Sequence, residues 1–180
     1  MDTIAHGLWA AVGALALGHR FEVTRSQVAL AVALGVAPDI AQAVPVAGWA
    51  LTQPEPIATF IDFAIATPGR EVVMPDAVSA VSHHLHCALH SVFFAGIATL
   101  AAWRLRRTLL VPLAGWWLHI ALDIPTHSAS FYAVPFLYPF SDRTFDGIAW
   151  TTPWVIVANY LALAVSAVIL AKKGGSHGRR

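Results

Sequence analysis

Residues 108–128 read TLLVPLAGWWLHIALDIPTHS, an apolar stretch that ends in polar and charged side chains. A helix that crosses a bilayer needs about 20 mostly apolar residues, and this stretch has nearly that many before its polar end. It nevertheless contains His119 and Asp123. An acid at the bilayer centre costs about 2.5–3.5 kcal/mol on insertion scales, so such residues are usually paired, face a cavity or bind something. The stretch therefore predicts a transmembrane helix that carries a polar site.

The composition of the whole chain agrees with a membrane protein. Of its 180 residues, 57% are hydrophobic and 12% are charged, whereas soluble domains carry about 25% charged residues. We therefore expect one membrane-embedded domain over residues 1–172 and a disordered cytoplasmic tail over 173–180. The formal net charge of +1 argues against a nucleic-acid partner, which would need a basic patch. A single cysteine, Cys87, excludes an internal disulfide and a zinc site with several thiolates.

The hydropathy pattern predicts an all-α polytopic bundle of about five transmembrane helices, over residues 3–18, 26–50, 87–103, 108–124 and 150–171. The second of these contains Pro38 and Pro45, so we expect it to be broken or bent. Residues 51–86 are expected to form a long loop. Within that loop, Ile57–Ala66 is apolar and predicts a short helix that lies at the interface or caps the bundle.

Basic residues predict the orientation of the bundle. Nine of the eleven lysines and arginines fall in two of the loops and the tail, all on one side of a five-span topology: Arg20, Arg25, Arg104, Arg106, Arg107, Lys172, Lys173, Arg179 and Arg180. By the positive-inside rule, that side is cytoplasmic, and so is the C-terminus. The N-terminus and the loops 51–86 and 125–149 then face outward. His19 falls on the cytoplasmic side and is excluded from an outward site.

The first apolar segment has a second interpretation, as a signal peptide. It offers Ala14-Leu15-Ala16 as a cleavage-like site. Asp2 stands where a basic region is expected, and Arg20 follows the apolar stretch, so the transmembrane interpretation is favoured.

Histidines and acids recur at helical spacing. Residues four apart lie on one face of a helix, so His86 and His90 should project together, and so should His119 and Asp123. Pro125 disfavours helical geometry at the residue before it, so we expect the fourth span to end at Ile124. His127 would then lie in the following turn and fold back over the same face.

The predicted orientation gathers these side chains near the outer face, with Asp39 within reach if the helix breaks at Pro38. Imidazole and carboxylate together suit Zn²⁺, and also Mn²⁺ or Fe²⁺. His83 and His84 fall in the loop, where we expect them to contact solvent or to support the ligands. The candidate ligands of a divalent metal are His6, Asp39, His86, His90, His119, Asp123 and His127.

Several of these motifs resemble one family. They are Met1-Asp2-x3-His6, Ala37-Pro38-Asp39, His86-x3-His90-Ser91, the block His119–Ser128, Pro135–Asp142 and Asp146–Trp150. Together they resemble the bacterial predicted membrane-bound metal-dependent hydrolases, from residue 1 to about residue 154 except for 51–80. The His-and-Asp pattern of that family is in turn similar to zinc-dependent phospholipase C.

The resemblance implies a metal-dependent hydrolase in the bacterial inner membrane. Carried over residue by residue, it implies a ligand set of His6, Asp39, His90, His119, Asp123 and His127. His86 departs from that pattern, because many members have another residue there.

The expected chemistry is hydrolysis by a metal-activated water. A bound cation lowers the pKa of water from 15.7 towards about 7 and polarises a phosphoryl or acyl oxygen. A nearby acid takes the proton: Asp39 is the first candidate, followed by Asp142 and Asp146 on the outward loop. We expect the substrate to be a small molecule or a membrane lipid, most of all a phosphoester, presented at the outer face.

Two further functions remain open from the sequence. A haem-carrying electron-transfer protein would use the histidines as axial ligands, although the acids are not needed for that. A metal-ion transporter or chaperone would bind the ion transiently, although the chain has no visible internal repeat.

Overall fold

A computed structural model describes residues 1–18 and 21–177, with the backbone alone for 174–177. Over these residues it contains seven α-helices and no strand, which confirms the prediction of an all-helical chain. His19, Arg20, Arg179 and Arg180 lie outside the described residues. The helices are α1 (Thr3–Leu17), α2 (Arg25–Ala50), α3 (Pro56–Ala64), α4 (Asp76–Leu89), α5 (Val92–Leu105), α6 (Leu110–Thr126) and α7 (Pro153–His177), with a 3₁₀ turn at Arg107–Leu109 before α6.

Three helical stretches of the described chain are long and apolar enough to cross a membrane: α2, the stretch Arg107–Thr126 that contains α6, and Pro153–Lys173 in α7. The pair α4 and α5, which meet at an angle of 55°, adds a fourth if it forms one broken span. Helix α1 is apolar but has only 15 residues. The chain is therefore a membrane protein by length and composition, and the count of five spans stays a prediction.

Helix α2 lies at the centre and packs against α1, α4 and α6. Glycines set its distance from two of these neighbours. A Cβ atom built on Gly35 would lie 2.7 Å from the Cβ of Ala10 in α1, and one built on Gly115 in α6 would overlap the carbonyl of Ala31. Small residues at such contacts let helix backbones approach closely, which brings polar side chains from three helices together.

Helix α2 is continuous through Pro38 and Pro45, so it is not broken there, and a bend at these prolines stays a prediction. Proline removes one backbone donor, but a helix packed among membrane helices tolerates this because neighbours provide other partners. Here His119 of α6 donates from Nδ1 to the Gly35 carbonyl, at 2.7 Å, in the turn that precedes Pro38. Asp39 reaches the interior of the bundle without any break.

Two corrections concern α4 and α5. Residues 76–86 form a helix, where a loop was predicted, and the predicted span 87–103 is divided between two helices. His86 and His90 therefore end α4 instead of opening a span. The reason is Ser91, whose hydroxyl accepts from the Phe93 amide and begins a new helix in a new direction. The short helix expected over Ile57–Ala66 is confirmed as α3.

Helix α6 ends at Thr126, beyond the predicted end at Ile124. Backbone amides of a later loop occupy its last carbonyls: Ile148 donates to Pro125 at 3.0 Å and Trp150 donates to Thr126 at 2.8 Å. These bonds hold the 146–150 segment against the end of α6. Helix α7 is likewise longer than predicted and runs into the stretch that was expected to be an irregular tail.

Candidate metal centre

Four helices bring histidines and acids to one point inside the bundle. Helix α6 provides His119 and Asp123 from adjacent turns, as their spacing predicts. Of the other three groups, the first comes from α1, the second from the middle of α2 and the third from the residue that follows α4. They are His6, Asp39 and His90. All are buried except Asp39, whose side chain keeps 13% of its exposure.

Asp123 is the hub of the cluster because its two oxygens face different partners. Its Oδ1 lies 2.9 Å from His6 Nε2. Its Oδ2 lies 3.1 Å from His90 Nε2 and 3.2 Å from His119 Nε2. The Nε2 atoms of His90 and His119 are 2.9 Å apart, and Asp39 Oδ1 lies 3.8 and 3.7 Å from them.

These separations are close to those of atoms that share a metal ion. Ligands about 2.0–2.2 Å from a tetrahedral zinc lie about 3.3–3.6 Å from one another. The separations of the His90 and His119 Nε2 atoms from each other and from the nearest oxygens of Asp39 and Asp123 fall between 2.9 and 3.8 Å. A second overlapping set, in which His6 replaces His90, has all its ligand atoms within 4.8 Å of one another.

Backbone contacts fix the tautomers of two rings. The Nδ1 atoms of His90 and His119 lie 2.8 and 2.7 Å from the carbonyls of His86 and Gly35. A carbonyl only accepts, so each Nδ1 carries a hydrogen and each ring directs its Nε2 into the cluster. Both Nε2 atoms face Asp123 Oδ2, which has no hydrogen-bond partner among the described residues. A metal ion between these atoms would satisfy them.

Further groups surround the cluster. Thr3 donates from Oγ1 to Asp39 Oδ2 at 2.9 Å, and the amino group of Met1 contacts Asp123 Oδ1. His127 folds back as predicted, with Nδ1 3.1 Å from the Asp123 carbonyl and 3.5 Å from Oδ1. Burial lowers the pKa of His127 to about 4, so its ring is neutral at pH 7.

Three predicted residues lie outside the cluster. The ring of His86 lies tilted by 35° against that of His90, with centroids 4.1 Å apart, but its Nε2 faces the Ala133 carbonyl at 3.2 Å. Asp146 accepts from the Ala129 amide at 2.8 Å, and Asp142 is exposed. Among the described residues, Asp39 and Asp123 are the only acids that take part in the ion pairs of the cluster. The general-base roles of Asp142 and Asp146 stay predictions.

Sequence reasoning missed the groups that support the ligands. Thr3, which holds Asp39, and the carbonyl of Gly35, which holds His119, were not singled out. One signal was available: Gly35 lies four residues before Asp39, and Gly115 lies four residues before His119. A small residue one turn from a buried polar group indicates close contact between membrane helices.

Two cavities adjoin the cluster. The first, of about 280 Å³, is named here the aromatic cavity and is lined by Phe60, Phe63, Phe131, Tyr132 and Trp150, together with Asp39 and His127. The second, of about 530 Å³, is named the polar cavity and is lined by Glu71, Ser79, Ser82, His83 and His86. Gln42, Phe63 and Tyr132 line both.

No family model matches this chain, and neither a curated protein nor a solved structure does so. The chemistry of the centre therefore rests on the chain's own residues.

Proposed function

We propose that the chain is a membrane-embedded metal-dependent hydrolase that uses a divalent metal, zinc first and manganese or iron as alternatives, to cleave a lipid or another ester. The observation that carries the proposal is the convergence of the Nε2 atoms of His90 and His119 on the buried carboxylate of Asp123, with each Nδ1 held by a carbonyl. A carboxylate and imidazole nitrogens form a donor set typical of zinc, and they leave Asp39 free to take a proton.

The proposed reaction follows from the placement of Asp39. A bound cation would supply a nucleophilic water at neutral pH and would polarise the ester oxygen. Asp39 is the cluster carboxylate that lines the aromatic cavity, and Thr3 holds the second oxygen of Asp39. Asp2 also lines this cavity, but it accepts from the Ala5 amide at the start of α1. The Asp39 carboxylate accepts one proton from the water while the water oxygen bonds to the phosphorus or to the carbonyl carbon of the ester. The ester bond breaks, and the proton passes from Asp39 to the departing alcohol, so one water is consumed for one acid and one alcohol formed.

Two further lines support this function and its location. The motifs His119–Ser128, Ala37-Pro38-Asp39 and Met1-Asp2-x3-His6 resemble the bacterial membrane-bound metal-dependent hydrolases. The bias of lysine and arginine places the N-terminus and the residue 125–149 loop outside the cytoplasm. We therefore propose a multi-pass protein of the bacterial inner membrane whose centre opens to the outer face and whose C-terminus is cytoplasmic.

The alternatives predict different outcomes. A haem iron ligated by His90 and His119 would have to lie between two nitrogens that are 2.9 Å apart, with its porphyrin in the space that Asp39 and Asp123 occupy. This crowding argues against haem. A transporter or chaperone fits the same ligands, but it would bind metal without hydrolysing esters.

Elemental analysis of detergent-purified protein tests the proposal. The wild type and His84→Ala, which changes an exposed histidine away from the cluster, should hold the same stoichiometric amount of zinc. His119→Ala and Asp123→Ala should lose both the metal and hydrolysis of a chromogenic phosphoester. Unchanged metal content in both variants would remove the proposal, and bound metal without hydrolysis in the wild type would favour transport or storage.

A further inference from the structure

The aromatic cavity has an apolar wall and one polar end. Its rings come from α3, from the loop after α6 and from the residue 146–150 segment, and Asp39 and His127 line the same space. Helix α3 turns Phe60 and Phe63 towards this space. On its other side, Ile57, Ile61 and Ile65 are 77%, 47% and 65% exposed. An exposed apolar face beside an apolar cavity places α3 between the bilayer and the centre.

The polar cavity lies on the other side of a pair of rings. Phe63 and Tyr132 meet edge to face, with centroids 6.3 Å apart, and line both cavities. Tyr132 has a φ of +48°, a conformation that costs a residue with a bulky side chain free energy and that is concentrated at functional sites. The two rings thus separate an apolar space from a polar one.

Charge limits what the polar cavity accepts. Glu71 lines it, and no lysine or arginine does so among the described residues. Glu71 and Tyr132 line this cavity together, and burial and then the charge of Glu71 raise the pKa of Tyr132. A carboxylate and the rings of Phe63 and Tyr132 in one cavity suit an ammonium group, which both attract. An anionic group would be repelled by Glu71, and no lysine or arginine of the described lining would offset that charge.

We propose that the two cavities hold one membrane amphiphile, with its hydrocarbon chain in the aromatic cavity and an ammonium-bearing headgroup in the polar cavity. The assignment rests on the proposed hydrolase function, since it places the ester of that amphiphile beside Asp39. It makes Tyr132 and Phe63 positioning residues, and it makes α3 the wall past which the chain enters from the outer leaflet.

Photo-crosslinking tests the chain subsite without any hydrolysis. The full-length protein, without added metal, is placed in phosphatidylglycerol vesicles, which have no ammonium headgroup, with added phosphatidylethanolamine that carries a diazirine in one acyl chain. Phe131 is 1% exposed, so bilayer lipid outside the cavity cannot reach it. We expect adducts at Phe131, in addition to those on Leu161, which faces outward from α7 and is 62% exposed.

Matched variants on one helix separate the cavity from the surface. Ala64→Trp fills the aromatic cavity and should reduce the Phe131 adducts to background. Asp62→Trp adds the same ring at an exposed position about 200° around α3 from Ala64, and it should leave them unchanged. Adducts confined to outward faces such as Leu161, or equal Phe131 labelling in both variants, would overturn the assignment.

A second pair of probes tests the headgroup. Phosphatidylglycerol with the same diazirine chain should label Phe131 less than phosphatidylethanolamine does, and Glu71→Gln should remove that preference. Stronger labelling by phosphatidylglycerol would overturn the ammonium subsite. Specific labelling combined with no hydrolysis of the ethanolamine lipid by zinc-loaded protein would contradict the hydrolase and leave the lipid site standing. Zinc-dependent hydrolysis of a soluble ester without Phe131 labelling would support the hydrolase and contradict the lipid site.

Discussion

Asp123 shows why single side chains matter so much in this bundle. Its carboxylate is fully buried, and two of the three nearest imidazoles, those of His6 and His90, come from parts of the chain far from α6 in the sequence. A buried carboxylate without a compensating charge is strongly destabilising. Asp123 therefore affects both the stability of the bundle and the geometry of the ligands. The residues around it should differ in how strongly their substitution changes metal binding.

His86 and His90 are neighbours that we expect to behave differently. His90 directs Nε2 at Asp123 and Asp39, whereas the Nε2 of His86 is directed at the Ala133 carbonyl. His90→Phe should therefore lose the metal, and His86→Phe, which keeps an aromatic ring at the α4 end, should retain the wild-type stoichiometry. Elemental analysis of both variants is the measurement. Loss of metal in His86→Phe would show that His86 is a ligand, as its sequence spacing first suggested.

Thr3 provides a test of the support around the ligands. Its hydroxyl donates to the Asp39 oxygen that does not face the histidines. Partners of this kind typically change metal affinity by about 10- to 100-fold when removed. Thr3→Val, which keeps the shape of the side chain, should weaken zinc binding by that amount in a chelator competition titration. Thr59→Val removes a hydroxyl that bonds only to the Glu55 carbonyl within α3, and it should leave the affinity unchanged.

At the scale of whole helices, Gly115 determines how closely α6 can approach α2. Any Cβ at this position overlaps the Ala31 carbonyl. Forcing atoms into a packed contact costs about 1–3 kcal/mol. Gly115→Ala should lower the free energy of unfolding by that amount and shift His119 away from Asp39. Gly96→Ala is the control because nothing lies within 4 Å of a Cβ there. Thermal unfolding in detergent compares the two, and equal melting temperatures would show that α2 and α6 are less closely packed.

Local spacing predicted part of this architecture and missed the rest for identifiable reasons. The four-residue spacing of His119 and Asp123 was sufficient to place both on one helix face, because helix geometry alone decides that. Pro38 misled, because whether a proline breaks a helix depends on neighbours that the sequence does not identify. At Ser91 the sequence predicted one continuous span where the structure has two helices. The Ser91 hydroxyl accepts from the Phe93 amide and begins a new helix inside an apolar stretch. The partners of Asp39 required knowledge of which helices pack together.

At the scale of the whole molecule, the length of α1 raises a question about the membrane. Fifteen residues span about 22 Å of helix, less than the roughly 30 Å of a hydrocarbon core. His6 near the start of α1 shares a site with Asp39 in the middle of α2, which is long enough to cross. We therefore expect α1 to start below one surface of the bilayer and the centre to lie at that depth. Which surface this is depends on the orientation.

Cysteine labelling in intact cells measures that orientation. With Cys87→Ser as background, single cysteines are placed at Thr67, at Thr151 and at Thr108 beside the arginine cluster. A membrane-impermeant maleimide should label the first two in intact cells and label position 108 only after the membrane is opened, because the basic residues hold that end in the cytoplasm. The reverse pattern would place the centre and its cavities towards the cytoplasmic leaflet. In the five-span topology, and equally with a bent α4–α5 pair followed by α6, the chain crosses the membrane twice between positions 67 and 151. Both positions should therefore be labelled from the same side. Labelling from opposite sides would mean an odd number of crossings and would contradict both topologies.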